Sequence, residues 1–196
     1  MKLVLRAVCL VALLAVAVCP AMAKDAPEQV LKSLPAGIKT FAAEDPHVYE
    51  EPGWGASIGY NDLSGVAVTL YLYDLGLSDI GDGIASQVLL DEKKEVIGGI
   101  ENSGYWSDVL VAADDQQAIR LDNGKKVDVL FTQFSLNGAD PATGSPLALR
   151  SDLYLTGLNG FICKIRITRL ASTPEAKEKE IASVVKELLS RLAVQH

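Results

Sequence analysis

Cysteine is scarce in this chain, and we expect no disulfide bond to stabilise the fold. The sequence of 196 residues contains three of them. Cys9 and Cys19 lie within the first 23 residues, so the remainder of the chain contains Cys163 alone. Small secreted scaffolds that are held together by several disulfides are therefore excluded. We expect the fold to depend on a hydrophobic core.

Histidine is equally scarce, and this restricts the possible chemistry. Only His47 and His196 are present. A zinc site or a histidine-based catalytic triad needs more suitable partners than these two residues supply. The glycines do not form a phosphate-binding loop, and no Gly-x-Ser-x-Gly motif occurs. The sequence therefore predicts no catalytic residue, no metal site and no cofactor.

Positive charge is also limited. The chain has 18 lysines and arginines against 25 aspartates and glutamates, a net charge of −7. Nucleic acids and anionic membrane surfaces bind clustered basic residues. We therefore expect the partner to be a protein or a small molecule, and no nucleic acid.

Long apolar runs are absent as well, and the longest one predicts an export signal. Residues 7–18 form an apolar run of about 12 residues after a positively charged start, short of the ~20 that a membrane-spanning helix needs. Ala21 and Ala23 supply the small residues that a signal peptidase requires. We predict a signal peptide at residues 1–23, export to the bacterial periplasm or medium, and no stable membrane insertion after cleavage. Lipidation of Cys19 is disfavoured because the flanking residues do not fit that motif.

The remainder of the chain divides into an irregular segment and one globular domain. Pro35, Pro46 and Pro52 interrupt residues 24–53, where only a short helix at 27–32 is predicted. Residues 54–196 have the length of a single domain.

Apolar periodicity within residues 54–196 predicts an α/β (α+β) fold. Amphipathic patterns indicate a helix at residues 85–100 and another from residue 172 to about 193. Alternating or β-branched runs predict about six or seven strands, at 54–60, 66–73, 107–112, 118–121, 127–136, 147–156 and 161–170. Because no helix separates the later strands, we expect a mainly antiparallel sheet flanked by helices.

The last hairpin has a register that its side chains can be used to predict. A three-residue loop at 158–160 would place Leu155 opposite Cys163 and Leu153 opposite Ile165. The aliphatic side chains of both strands would then share one face. We therefore expect a loop of odd length.

Two local sequences and the order of elements resemble a known fold. The entry strand GASIGYN at residues 55–61, and FICKIRIT at residues 161–168 before the last helix, are similar to segments of the PsbP-like (Mog/PsbP) α/β/α sandwich. Members of that fold are mostly binding and assembly accessories, including photosystem subunits, a Ran-binding protein and periplasmic lipoproteins. The resemblance implies a binding role, and it transfers no functional residue because no motif is matched.

Three aromatic residues are candidate ligand or partner contacts. Trp54 lies between Gly53 and Gly55, and Tyr105 and Trp106 follow Gly104. Partly exposed aromatic residues in glycine-flanked loops suit recognition, although packing against the sheet edge is the more common role.

The most direct functional hypothesis is an exported, non-catalytic binding or assembly-accessory domain. One alternative is a carboxylate-based enzyme around residues 74–82, where Asp74, Asp79 and Asp82 cluster, although solvated turn and capping roles are more typical of such residues. Another alternative is a carrier of a small apolar ligand. Cys163 shares its strand face with isoleucines and is predicted to be a buried structural residue, with Lys164 on the opposite face.

Overall fold

The computed structural model describes residues 25–78, 80–140 and 143–194, and it confirms the predicted α+β class. The predicted signal peptide lies outside these residues. Six strands have six or more residues, and three short ones lie near the N-terminal end of the described chain. In chain order the elements are α1 (Pro27–Lys32), β1 (Gly37–Ile38), β2 (Phe41–Ala43), β3 (His47–Val48), β4 (Ala56–Asn61), β5 (Ala67–Tyr73), α2 (Gln87–Glu101), β6 (Ser107–Arg120), β7 (Lys126–Ala139), β8 (Pro146–Leu158), β9 (Phe161–Leu170) and α3 (Glu175–Leu192).

All strands belong to one sheet, and every pairing is antiparallel. The spatial order is β1-β2-β4-β5-β9-β8-β7-β6, with β3 pairing with β4 beside β2. The long strands β6 to β9 are connected as consecutive hairpins, and β9 pairs with β5 in the centre of the sheet. This arrangement places β5 and β9 side by side, which matters for the candidate site described below.

One face of the sheet packs against α3. Alternate residues of β5 and β9 point to this face and lie in the largest core cluster, where they meet the apolar stripe of α3. The buried residues of that stripe are Ile181, Val184, Val185, Leu188, Leu189 and Leu192. Cys163 belongs to this cluster and is 1% exposed, which confirms its predicted burial.

The opposite face packs against α2. Leu89 and Ile100 are the buried residues of that helix. Leu89 packs with Tyr73 of β5 and Ile162 of β9. The adjacent residues Leu72 and Cys163 point to the α3 face. The sheet is therefore covered on both faces, which confirms the prediction of a sheet flanked by helices. Within the described ranges, no helix is both long and apolar enough to cross a bilayer.

Residues 25–53 form short elements that pack onto the main core. The helix α1 occupies the predicted residues, and β1 to β3 follow it. Leu31, Leu34, Ile38 and Phe41 are buried in the cluster on the α3 face. This segment therefore covers part of the sheet beside β4.

The predicted register of the last hairpin is wrong. Asn159 and Gly160 form a two-residue turn with φ values of 54° and 76°, and Thr156 lies opposite Cys163. Positive φ at both central residues is the type I′ turn that Asn-Gly favours. The prediction assumed that the aliphatic residues share one face. Because both faces are covered, Leu153 faces the α2 side while Ile165 faces the α3 side, and the turn chemistry decides the register.

The predicted strands at 107–112 and 118–121 form one strand, β6. It pairs with β7 along its whole length, with two register shifts near its start. As an edge strand it exposes most of its side chains, including the polar residues at 114–117 that separated the two predicted segments. Apolar and polar residues alternate along a strand when one of its faces is buried, whatever its backbone pairing. An edge strand with most side chains exposed therefore lacks this alternation.

Candidate functional site

An open cleft of about 290 Å³ lies on the α2 side of the sheet. Its size approaches the lower limit of typical small-molecule pockets, about 300 Å³. A larger depression of about 470 Å³ lies beside α3, but its walls include charged side chains such as Lys186 and Arg191. The cleft is distinguished by its chemistry, because most of its lining side chains are aromatic: Tyr49, Trp54, Tyr71, Tyr73, Leu75, Glu92 and Lys164.

The pairing of β5 with β9 builds the floor of the cleft. Tyr71 lies directly opposite Lys164, and Tyr73 follows Tyr71 by two residues on the same face. The side chains of directly opposed residues are neighbours across an antiparallel pair. Two tyrosines and one lysine are thereby brought together by sheet geometry alone.

The ammonium of Lys164 lies over both tyrosine rings. Its Nζ is 4.5 Å from the ring centroid of Tyr71 and 5.0 Å from that of Tyr73. A cation over an aromatic face is attracted by the ring quadrupole. Burial lowers the pKa of Lys164, while the charge of Glu92 opposes that shift. The floor therefore carries a partly desolvated amine next to two π faces.

Glu92 projects from α2 into the same cleft. Its Oε1 accepts a hydrogen bond of 2.6 Å from the Tyr73 hydroxyl. Burial raises the pKa of Tyr73, and the neighbouring Glu92 raises it further. The phenol therefore stays protonated as the donor, and the contact fixes Tyr73 and α2 relative to one another.

Trp54 stands at the rim, on a turn that is docked against the end of β5. The backbone N–H groups of Asp74 and Leu75 donate to the carbonyl of Gly53 at 3.2 and 2.8 Å. Gly53 and Gly55 both have positive φ, and a Cβ on Gly55 would lie 2.0 Å from the carbonyl oxygen of Leu72. Only glycine fits so close to another backbone. The Gly-Trp-Gly sequence thus holds a 56% exposed indole in place.

Tyr49 continues the aromatic wall beside Trp54. Their ring centroids are 6.3 Å apart with a tilt of 59°, and His47 makes an edge contact with Tyr49 at 4.7 Å. The Tyr49 hydroxyl is 3.1 Å from the Ser57 hydroxyl. These contacts restrict the rings before any ligand binds.

The structure does not bring the three sequence-predicted site residues together. Trp54 lines the cleft, whereas Tyr105 is 83% exposed and does not. Trp106 lies farther along the same sheet face, where the Arg166 guanidinium is 5.6 Å from its ring centroid. The Nε of Arg166 donates to Ser151 at 3.3 Å, and its buried Nη2 has no hydrogen-bond partner among the described residues.

The acidic loop does not form a converging carboxylate pair in the described residues. Asp74 accepts the backbone N–H of Gly76 at 3.0 Å, and Asp82 accepts that of Asn159 at 2.8 Å. Asp79 lies outside the described residues. Turn and backbone capping therefore account for these two carboxylates. In the described part of the chain, no group of three or more histidine, cysteine or acidic residues is placed to hold a metal ion.

The cysteine is unsuited to nucleophilic chemistry. Burial raises the pKa of the Cys163 thiol to about 12, and the thiolate is the reactive form. Cys163 lies in the core beneath α3, whereas its neighbour Lys164 points to the cleft on the other face.

Sequence reasoning missed Tyr71, Tyr73, Glu92 and Lys164. Tyrosines two residues apart on a strand share a face, and Lys164 and Arg166 alternate with buried apolar residues along β9, which is unusual for a covered strand. Those two signals, taken together, would have indicated a polar feature on one covered face. No family model matches the sequence, and no curated protein is significantly similar to it.

Proposed function

We propose that this chain is an exported, non-catalytic binding domain whose ligand site is the aromatic cleft. The observation that carries the proposal is the Lys164 ammonium, held over the rings of Tyr71 and Tyr73 at the floor of an open cleft. An apolar, concave surface with one or two polar groups is the usual form of a small-molecule site. The export half of the proposal rests on the signal pattern of residues 1–23.

The rigidity of the cleft supports a binding role. Its walls come from β5, β9, α2 and the Trp54 turn, and hydrogen bonds or ring contacts restrain each of them. The protein therefore loses little conformational entropy when a ligand binds, which favours high affinity. The exposed indole at the rim offers a stacking surface for a flat apolar group.

The alternative functions receive less support from these contacts. A carboxylate-based enzyme at residues 74–82 needs two converging acids, whereas Asp74 and Asp82 accept backbone hydrogen bonds. An apolar-ligand carrier is closer to the observed cleft, but Lys164 and Glu92 make its inner end polar. The PsbP-like resemblance is compatible with a binding or assembly role and adds no residue to the site.

The proposal can be tested with protein recovered from the periplasm of an exporting bacterial host. We would measure binding of small aromatic and aliphatic probes by ligand-observed NMR and by tryptophan fluorescence excited at 295 nm. Trp54→Ala should weaken binding about fivefold through the loss of a stacking surface worth about 1 kcal/mol. Tyr105→Ala is the matched control, because it removes an exposed aromatic residue outside the cleft.

Two results would contradict the cleft as the ligand site. In the first, Trp54→Ala and Tyr105→Ala weaken binding equally. In the second, a Tyr71→Ala variant with an unchanged circular dichroism spectrum binds every probe as the parent protein does. Recovery of residues 1–23 in the periplasmic protein would oppose the predicted signal cleavage.

A further inference from the structure

We propose that the ligand of the cleft carries a single carboxylate, which the Lys164 ammonium binds, attached to a flat or extended apolar body that lies against Trp54 and Tyr49. This inference rests on the proposed function, because it names the class of ligand for the same cleft.

Lys164 differs from the other half-buried lysines of the described residues. Lys93 pairs with Asp114, Lys177 with Asp62 and Glu180, and Lys186 with Asp122. The Lys164 ammonium lies over two tyrosine rings, and in the described part of the chain no carboxylate lies within ion-pair distance of its Nζ. A partly buried cation without a hydrogen-bonded partner is costly, and the other three lysines avoid that cost.

Glu92 does not supply the missing acceptor. Its Oε1 is engaged by the Tyr73 hydroxyl, and its charge acts on Lys164 from a distance. The ammonium has three donors, and ring faces satisfy none of them as an oxygen would. Because Lys164 lines the cleft, those donors are available to an oxygen acceptor that enters it. A carboxylate can accept charge-assisted hydrogen bonds from these donors.

A second cation lies on the same face of β9. Arg166 follows Lys164 by two residues, a separation of about 7 Å along the strand. It has no ion-pair partner in the described ranges, and its Nη2 is buried without a hydrogen bond. The two cations Lys164 and Arg166 face the single carboxylate of Glu92, and this excess of positive charge favours an anion. The charged and titratable groups that face Lys164 are Glu92 from α2, Tyr71 and Tyr73 from β5, Arg166 from β9 and Tyr49 from the rim.

The aromatic outer half of the cleft defines the remainder of the ligand. Trp54, Tyr49 and Leu75 line it, and its volume of about 290 Å³ suits a body of one ring or a short chain. The carboxylate would lie at the floor and the apolar body at the rim, where the indole is 56% exposed. A neutral ligand of the same shape would keep the apolar contacts and lose the charge-assisted part of the contact with Lys164.

The test compares each acid with its uncharged amide. The probes are 3-phenylpropionate with 3-phenylpropionamide, and hexanoate with hexanamide, titrated into the periplasmic protein. We expect each carboxylate to bind about tenfold more tightly than its amide, because hydrogen bonds to charged groups are the stronger class. Lys164→Met should abolish that difference, because the carboxylate then loses its charged partner and binds no more tightly than the amide.

A second variant keeps the test valid if Lys164→Met fails to fold. Glu92→Gln removes the negative charge from the wall, so it should tighten carboxylate binding severalfold and widen the difference in affinity between each acid and its amide. Equal affinity for acid and amide in the parent protein would overturn this inference and leave the proposed cleft function standing. Failure of all four probes to bind would overturn both.

Discussion

The buried ion pair between Arg169 and Asp152 provides a quantitative test of how α3 is attached to the sheet. Arg169 Nη2 is 2.8 Å from Asp152 Oδ2, and its Nε donates to Glu178 in the first turn of α3 at 2.8 Å. The side chains of Arg169 and Asp152 are 2% and 6% exposed. Asp152 also accepts a hydrogen bond of 2.9 Å from the Gln133 amide. The partly exposed Glu178 at the start of α3 is thus joined to a buried ion pair between two strands.

The two single substitutions should differ in their cost. Arg169→Met leaves Asp152 buried, with the Gln133 amide as its remaining side-chain donor in the described part of the chain. Breaking a buried pair in this way costs about 4 kcal/mol. Asp152→Asn leaves Arg169 with Glu178 and with an amide oxygen as an acceptor, so we expect a loss of about 2 kcal/mol. Arg169→Met combined with Asp152→Asn removes the uncompensated charge. The double variant should therefore be more stable than the sum predicts by about 2 kcal/mol.

Urea unfolding followed by circular dichroism measures these differences in the free energy of unfolding. Arg191→Met is the matched control, because its ion pair with Glu187 is solvent-exposed and its loss should cost ~0.5 kcal/mol or less. A cost of Arg169→Met near that of the control would refute the reasoning. Additive single substitutions would refute it as well, since they would show that the two charges are not coupled.

Three further predictions concern pH, the cysteine and the last turn. Burial would raise the pKa of Asp62, but the hydrogen bond from Lys177 and its other contacts lower it, and the Lys177 hydrogen bond lowers the pKa of Glu180. A carboxylate whose pKa falls on folding stabilises the protein above its unfolded pKa, about 4, and this stability is lost as the pH falls through the folded pKa. Asp62→Asn should therefore make the urea midpoint depend less steeply on pH in the acidic range. Cys163→Ala should cost about 1 kcal/mol, and the native thiol should resist labelling reagents. Gly160→Ala should lower the free energy of unfolding by about 1 kcal/mol, because φ at this position is 76° and a side chain is strained there. Urea unfolding measures the change.

The fold was predictable wherever one local signal dominated. The stripe of α3 and the β-branched strand β5 were found because burial on a helix or strand leaves a period in the sequence. The predicted register of the last hairpin was wrong because it assumed one apolar face, whereas both faces of the sheet are buried. Asn159 and Gly160 contained the deciding information, since a type I′ turn closes a two-residue loop.

The candidate site was harder to predict because its floor depends on a strand pairing that is distant in sequence. Tyr71 and Lys164 are neighbours only because β9 inserts beside β5, after three strands that lie between them in the chain. Each residue on its own fits a covered strand, since tyrosine is common there and a lysine stem can lie along apolar surface. The Trp54 rim was found because its signal is local: glycines on both sides of an aromatic residue indicate a close backbone contact. A single sequence therefore reveals the rim of this cleft, which depends on neighbouring residues, but not its floor, which depends on a distant strand pairing. Lys164 becomes a candidate site residue once the strand opposite it is known.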